Sequence, residues 1–167
     1  YAVEERRVDQ NDINLNASVK WMASKAFTLT GGVNYKWNRT EYYKKMDDLL
    51  GGDYYLNIDQ FAERDFASSP TMVQNDLDYF LEFGEAKSLK EGDKYGYDYY
   101  AHVRNANLWA NGALDLGGFK ANLALEAGYA KFWREGLVRK GLFAGLDENG
   151  NEMMYEGKVL TTYDKKT

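Results

Sequence analysis

Tyrosine is the residue type whose chemistry stands out in this sequence. Fourteen tyrosines occur among 167 residues, and many of them stand in close pairs along the stretch 39–99. A tyrosine ring packs on planar or apolar groups while its hydroxyl forms hydrogen bonds, so such rings suit the binding of sugars and other cyclic nutrients. The candidate substrate-binding residues are therefore Tyr42, Tyr43, Tyr54, Tyr55, Tyr95 and Tyr97. The alternative interpretation is that these rings pack the segment onto itself.

The other residue types that carry chemistry are scarce or wrongly spaced. The chain has no cysteine and a single histidine, His102, which excludes disulfides, thiol chemistry and a two-histidine metal motif. The acidic stretch 147–152 fails the calcium-loop template, which needs Gly at the sixth position and Glu at the twelfth. No nucleophile motif or phosphate loop is present. We therefore predict no catalytic residue, no metal and no cofactor, and a protein that is not an enzyme.

Regular alternation of side chains is the strongest structural signal. Between residues 13 and 38 one set of alternate positions is apolar or aromatic and the other set is mostly polar. Since successive side chains of a strand point to opposite faces, this pattern predicts strands at about 13–23 and 27–38. The short connection Ser24–Ala26 makes them a hairpin.

The same alternation returns further along the chain. It predicts strands at about 100–116 and 119–133, joined at Gly117-Gly118, where glycine permits a two-residue hairpin turn. The predicted fold is therefore all-β, an antiparallel meander of two hairpins.

Long connections flank these hairpins. The segment 39–99 is predicted to be a long extracellular loop containing short helices, at about Glu41–Leu50 and Met72–Phe83. Connections longer than about 15 residues are uncommon in compact domains and are usually functional or disordered. The segment 136–167 is predicted to be a long loop or hairpin, with its turn at Asn149-Gly150.

The strand dimensions indicate a membrane barrel. The apolar faces from Phe27 to Trp37 and from Phe119 to Tyr129 are framed by aromatic residues about 33 Å apart along the strand. Tilted by about 40°, such a strand spans the roughly 25 Å apolar band of an outer-membrane barrel, whose short turns lie at one end and long loops at the other. The polar face then forms the lumen wall. A half-solvated sheet of a soluble protein shares the alternation, and is the alternative.

Four strands are too few to close a barrel, since bacterial examples begin at eight. We therefore expect the chain to be a fragment of a large outer-membrane barrel, with its export signal upstream of Tyr1. The expected partners are outer-membrane lipid and either the remaining barrel strands or other copies at the open sheet edges. The net charge of −5 gives no basic footprint for nucleic acid.

The stretch 129–143 resembles the barrel of TonB-dependent outer-membrane receptors. It contains an aromatic strand end, Phe132-Trp133, followed by Arg134-Glu135-Gly136 and by Arg139-Lys140-Gly141-Leu142-Phe143. The likeness is closest to large receptors of Bacteroidota akin to the SusC transporters, and it extends over roughly 100–143. It implies a barrel of roughly 22 strands and active import driven by the TonB complex through the proton-motive force. It also implies a surface lipoprotein as a further partner.

The expected function is thus TonB-dependent uptake of a scarce nutrient across the outer membrane of a Gram-negative bacterium. Glycans, metal chelates, vitamins and peptides all remain open as the nutrient. The alternative function is a surface or secreted β-rich carbohydrate-binding module whose tyrosine-rich loops hold the sugar.

Overall fold

The computed structural model describes residues 1–143, 154–155 and 158–159, and most of these residues are in β-strands. In chain order the elements are β1 (Val3–Met22), β2 (Phe27–Asp48), β3 (Tyr55–Leu56), helix α1 (Gln60–Phe66), helix α2 (Leu77–Phe83), β4 (Ser88–Leu89), β5 (Lys94–Asp115), β6 (Lys120–Gly136), a 3-10 helix (Gly141–Phe143), β7 (Met154–Tyr155) and β8 (Lys158–Val159). Among the described residues, no helix is long and apolar enough to cross a membrane.

The long strands form one sheet in the order β1-β2-β5-β6. The N–H of Asp115, at the end of β5, donates to the carbonyl oxygen of Ala26, just before β2 (2.8 Å). The N–H of Met46, near the end of β2, donates to the carbonyl oxygen of Asp93, just before β5 (2.9 Å). Since the end of each strand meets the start of the other, β2 and β5 are antiparallel. Each strand thus neighbours the next long strand of the chain. The prediction of an all-β, antiparallel fold is confirmed.

Side chains and a glycine shape the two hairpin turns. The Ser24 hydroxyl accepts hydrogen bonds from the backbone N–H groups of Ala26 (3.2 Å) and Phe27 (3.0 Å). In the second turn Gly117 has a φ of 81°, and the Leu116 N–H donates to the Phe119 carbonyl oxygen (2.9 Å). A positive φ at the first central position is the requirement of a type II′ turn, which glycine meets without strain.

The strands are longer than the alternation predicts, and the predicted helix at Glu41–Leu50 is wrong. Residues 41–48 belong to β2, and residues 94–99 belong to β5, so the long connection is 49–93 rather than 39–99. Likewise β1 begins at Val3 rather than near residue 13. The cause is that backbone pairing continues where both faces become polar, as in the hydrogen bond from Gly92 to Met46 (2.8 Å).

The second predicted helix is present but shorter. It occupies Leu77–Phe83 instead of 72–83, because the Asp76 side chain caps its first turn by accepting from the Tyr79 N–H (3.2 Å). It ends at Gly84, whose φ of 75° reverses the chain. The sequence interpretation missed α1. The predicted turn at Asn149-Gly150 lies outside the described residues, whereas β7 and β8 pair antiparallel just beyond it.

The chain divides into two compact units. The strand unit comprises residues 10–39 and 102–132, and the loop unit comprises residues 1–9, 40–101 and 133–167.

In the strand unit one face is apolar on all four long strands. A broad depression of about 690 Å³ on this face has walls formed in part by Ala17, Val19, Gly31, Val33, Leu108, Ala110, Leu125 and Ala127. The large apolar side chains of this face are exposed, with Val19 at 69%, Leu123 at 66% and Leu125 at 67%.

The opposite face of the strand unit carries the polar residues and Trp109. The Trp109 ring lies over Gly32, where an added Cβ would be 2.9 Å from the ring and 2.6 Å from the Ala17 carbonyl oxygen. Glycine at position 32 therefore lets an aromatic side chain cover the sheet between β1 and β5, an arrangement that fixes strand register.

We predict that Gly32→Ala destabilises the strand unit by about 1–3 kcal/mol, because the added methyl group must displace backbone and a large ring. The free energy of unfolding, from denaturant titration, measures the effect. The matched control is Gly118→Ala, at a turn position with no atom within 4 Å of an added Cβ. Equal stability of the two variants would contradict this account of Gly32.

Candidate functional site: a tyrosine-lined cleft

The loop unit is built around a small apolar core. Met46 and Leu89 are fully buried, at 1% and 0% exposure, and Leu49 packs with them. The short strands β3 and β4 pair antiparallel, with Tyr55 opposite Leu89. This pairing holds the Tyr55 ring against the core, where it also meets the Tyr95 ring edge-on at 6.1 Å between centroids.

Asn57 ties the segments of the loop unit together. It is buried, and its backbone N–H donates to the Lys87 carbonyl oxygen (2.9 Å) while its own carbonyl accepts from the Asn75 N–H (3.1 Å). Its side-chain oxygen accepts from the N–H of Gly96 (3.3 Å), which has a φ of 75° within β5. A buried polar side chain satisfied in this way fixes local geometry, because leaving its partners unpaired costs about 1–3 kcal/mol.

Helix α1 (Gln60–Phe66) begins shortly after Asn57 in the chain. Asp59 is its N-cap, and the carboxylate accepts from the N–H groups of Phe61 (3.1 Å) and Ala62 (3.3 Å). The same carboxylate accepts from the Lys140 ammonium group (2.8 Å). An N-cap of this kind satisfies helix N–H groups that otherwise lack partners. Asp59 therefore anchors both the helix and a lysine that lies 81 positions further along the chain.

These elements enclose a cleft of about 190 Å³ in the loop unit. Its lining combines aromatic rings, paired charges and amide groups. The lining residues are Glu4, Lys44, Tyr55, Ile58, Asp59, Gln60, Phe61, Asn75, Tyr95, Gly96, Tyr97 and Lys140. Small-molecule pockets typically start near 300 Å³, so this cleft suits one ring-sized group rather than a whole large ligand.

The charges of the cleft neutralise each other. Glu4 accepts from the Tyr95 hydroxyl and from the Lys44 ammonium group (3.0 Å). The Tyr95 hydroxyl is the largest of the effects that lower the pKa of Glu4 to about 2, with Lys44 and Arg6 adding to it against the opposing effect of burial. Glu4 is therefore ionised at neutral pH, and burial together with this carboxylate raises the pKa of Tyr95.

The second acidic group behaves similarly. Burial acts to raise the pKa of Asp59, but the hydrogen bond and charge of Lys140, together with the N–H groups of Ala62 and Phe61, outweigh it and the pKa is lowered. The cleft thus holds the ion pairs Glu4–Lys44 and Asp59–Lys140 and carries no net charge. Ring faces with balanced polar groups favour a neutral or zwitterionic polar ligand, bound by stacking and hydrogen bonds.

The structure brings together some of the predicted tyrosines and separates the others. Tyr55, Tyr95 and Tyr97 line the cleft, and Lys44 lies over the rings of Tyr95 (5.3 Å) and Tyr97 (5.9 Å). The remaining candidates lie elsewhere in the loop unit.

Tyr42 stacks on Tyr99, with 5.2 Å between ring centroids, and Arg134 lies 4.3 Å from the centroid of the Tyr99 ring. Tyr43 donates its hydroxyl to Asp9 (2.8 Å), with Lys94 over its ring at 4.2 Å. Tyr54 is 59% exposed and does not line the cleft. For Tyr42 and Tyr43 the packing interpretation has direct support from these contacts.

The cleft contains functional candidates that the sequence interpretation did not name, chiefly Glu4, Lys44, Asp59, Phe61 and Lys140. One signal was present, because an aspartate at position 59 followed by a helical segment is a typical N-cap. The two lysines carried no such signal. Among the described residues, no group of three or more His, Asp or Glu side chains could hold a metal ion.

Comparison with known proteins gives no assignment. No protein-family model matches the chain, and no curated protein is significantly similar to it.

We predict that Tyr95→Phe raises the pKa of Glu4 from about 2 towards its ordinary value of 4.5, because the variant loses the hydroxyl that donates to the carboxylate. A carboxylate whose pKa is lowered by folding stabilises the fold above its unfolded pKa, and that contribution is lost as the pH falls through the folded value. The native protein should lose this contribution between pH 4.5 and about 2, and the variant should have less of it to lose.

The measurement is a titration of the Glu4 carboxyl carbon by NMR, with unfolding measured across the same pH range. Tyr54→Phe is the control, since Tyr54 lies outside the cleft. An unchanged Glu4 titration midpoint in Tyr95→Phe would refute the role given to the hydroxyl.

Proposed function

We propose that this chain is a wall segment of an outer-membrane β-barrel receptor that imports a scarce nutrient by TonB-dependent active transport. The observation that carries the proposal is the exposed apolar face of the strand unit. Its large side chains come from every long strand, and include Trp21 at 60% exposure and Leu108 at 60%. Large contiguous apolar surfaces on proteins mark sites of contact with a membrane or with another protein. Here the apolar surface extends over a whole face of the sheet, which is best matched by contact with lipid.

The dimensions of this face support a location in a lipid bilayer. From Phe27 to Trp37 the strand rises about 33 Å, which a tilt of about 40° converts to the roughly 25 Å of an outer-membrane apolar band. β2 and β5 each have 22 residues, about twice what the band requires. The additional strand length supports a large receptor whose strands continue beyond the membrane before the long connection 49–93 begins.

The two ends of the strands differ as a barrel requires. The connections 23–26 and 116–119 are tight turns, whereas 49–93 carries two helices and a strand pair. β1 and β6 are the outer strands of the sheet, so the proposal needs further strands at both edges. TonB coupling, the outer membrane as location and a lipoprotein partner are supported only by the resemblance at residues 129–143.

The substrate contact is proposed for the tyrosine cleft. Its rings and neutralised charges suit a glycan unit, although metal chelates, vitamins and peptides remain in the proposal as nutrients. The same cleft would serve the alternative, a soluble carbohydrate-binding module. The two functions differ in what meets the apolar face of the strand unit, which is lipid in one and protein or water in the other.

We predict that lipid contacts Leu125 and not its neighbour Ala124 on the opposite face. The chain has no cysteine, so Leu125→Cys and Ala124→Cys each give one unique labelling site for a fluorophore. With the intact protein in bilayers, brominated lipid should quench the label at position 125 strongly and the label at position 124 weakly. A water-soluble quencher should show the reverse order.

A protein that stays monodisperse in buffer without detergent, with neither label quenched by brominated lipid, would refute the membrane proposal. The soluble carbohydrate-binding module would then be the better account.

We also predict that Tyr97→Ala weakens nutrient binding about fivefold, since one aromatic contact contributes on the order of 1 kcal/mol beyond its buried area. Tyr54→Ala is the matched control, because that ring is exposed and does not line the cleft. Affinity for the nutrient whose uptake the intact receptor supports is the measurement. An equal loss in both variants, or in neither, would mean that the cleft does not hold the nutrient.

A further inference from the structure

Asn75 is a buried polar residue of the cleft in the loop unit. It lines the cleft and is only 4% exposed. Its backbone N–H donates to the Asn57 carbonyl oxygen (3.1 Å), but its side-chain amide has no hydrogen-bond partner among the residues that the structure describes. The amide is not among the described side-chain groups that are sealed from water without a partner, so it faces the cleft. Since buried polar groups nearly always have hydrogen-bond partners, this amide indicates a partner from outside the chain.

The backbone on both sides of Asn75 is held in place. Before it, the Gln74 side chain donates to the Pro70 carbonyl oxygen (2.8 Å). After it, the Asp76 carboxylate accepts from the Tyr79 N–H (3.2 Å) and caps the first turn of α2. The amide is therefore positioned before any ligand arrives, which reduces the entropy that a ligand contact must overcome.

An exposed aromatic ring lines the same cleft. Phe61 is the second residue of α1 and is 76% exposed although its side chain is wholly apolar. Its backbone N–H donates to the Asp59 carboxylate (3.1 Å), so the capped start of the helix fixes where the ring is placed. Such a ring offers apolar area to the C–H groups of a ligand ring.

The charges that line the cleft already have partners. Lys44 pairs with Glu4 (3.0 Å) and Lys140 pairs with Asp59 (2.8 Å). A ligand with a net charge must compete with one of these partners, whereas a hydroxyl group need not. Because an amide has both N–H donors and a carbonyl acceptor, it can bond two adjacent hydroxyl groups, each of which donates and accepts.

We propose that the cleft binds one unit of a neutral glycan, and that Asn75 is its specificity-determining residue, with the side-chain amide bonded to two adjacent hydroxyls of the sugar ring. The inference rests on the substrate contact in the proposed function and names the chemistry of that contact. A cleft of about 190 Å³ admits one such ring. The combination of ring face, fixed amide and paired charges selects a sugar over a charged metal chelate.

The test uses the intact protein in detergent, with affinities measured by saturation-transfer NMR titration. The probes are the methyl glycosides of glucose, galactose and mannose. The comparators are methyl glucuronoside, which carries a carboxylate, and N-acetylglycinamide, a neutral peptide unit. At least one of the three neutral glycosides should bind more tightly than both comparators.

The variant Asn75→Leu separates ligand recognition from a structural role. Leucine is of similar size but forms no hydrogen bond, so affinity for the best glycoside should fall about tenfold. The free energy of unfolding should be unchanged or higher, because the amide has no partner within the described chain to lose. The matched control is Gln74→Leu, which removes an amide bonded to the Pro70 carbonyl oxygen and should lower the free energy of unfolding.

Deoxy glycosides test the two-hydroxyl contact directly. Each ring hydroxyl of the best glycoside is removed in turn, and the native protein should lose about fivefold in affinity at each of two adjacent positions. Asn75→Leu should be nearly indifferent to the same two removals, since contacting groups are coupled in a double-mutant cycle. Equal sensitivity of the native protein and the variant to these hydroxyls would overturn the role given to Asn75.

Three other results would overturn the inference: no binding of any of the three glycosides, tighter binding of either comparator, or an equal loss of stability in Asn75→Leu and Gln74→Leu. The membrane proposal would survive each of them if brominated lipid still quenched the label at position 125. A protein that is soluble without detergent but binds a glycoside through Asn75 would support this inference and refute the receptor.

Discussion

The two-residue period of side chains along long paired strands is the constraint on which the rest of the structure depends. Backbone hydrogen bonding pairs β1 with β2, β2 with β5 and β5 with β6 whatever their side chains, so the side chains alone decide what each face contacts. A shift of one residue in register would exchange the faces. The observed register places the Trp109 ring over Gly32, where a Cβ would lie 2.9 Å from the ring.

The strands were predictable where the two faces differ and not where they are alike. Between residues 13 and 38, apolar and polar positions alternate cleanly, and the hairpin there follows from the sequence. Beyond Asn38 the alternate positions that continue the apolar face are Arg39, Glu41 and Tyr43, so the apolar stripe ends there. Pairing with β5 nevertheless extends β2 to Asp48. Most of the segment Glu41–Leu50, which the local sequence pattern predicts to be a helix, is therefore part of a strand.

Only the tyrosines of the cleft could be predicted from the sequence, and its charged residues could not. Tyrosine pairs mark the region by residue type, and Tyr55, Tyr95 and Tyr97 line the cleft. Their charged neighbours come from distant parts of the chain: Glu4 lies 91 positions from Tyr95, and Lys140 lies 81 from Asp59. No local pattern joins residues at such separations. Tertiary packing around Met46, Leu89 and Asn57 brings these residues together in the folded chain.

The paired charges of the cleft affect how it could bind. An isolated lysine or carboxylate beside tyrosine rings would have to lose water without compensation when a ligand entered, a large cost for a charge. In the cleft Lys44 is already held by Glu4 and Lys140 by Asp59, so much of that cost is met on folding. Residues ordered before binding also lose less side-chain entropy on complex formation. The cleft therefore favours a small polar group over a strong ion, because an ion would have to compete with an existing partner for every charge it met.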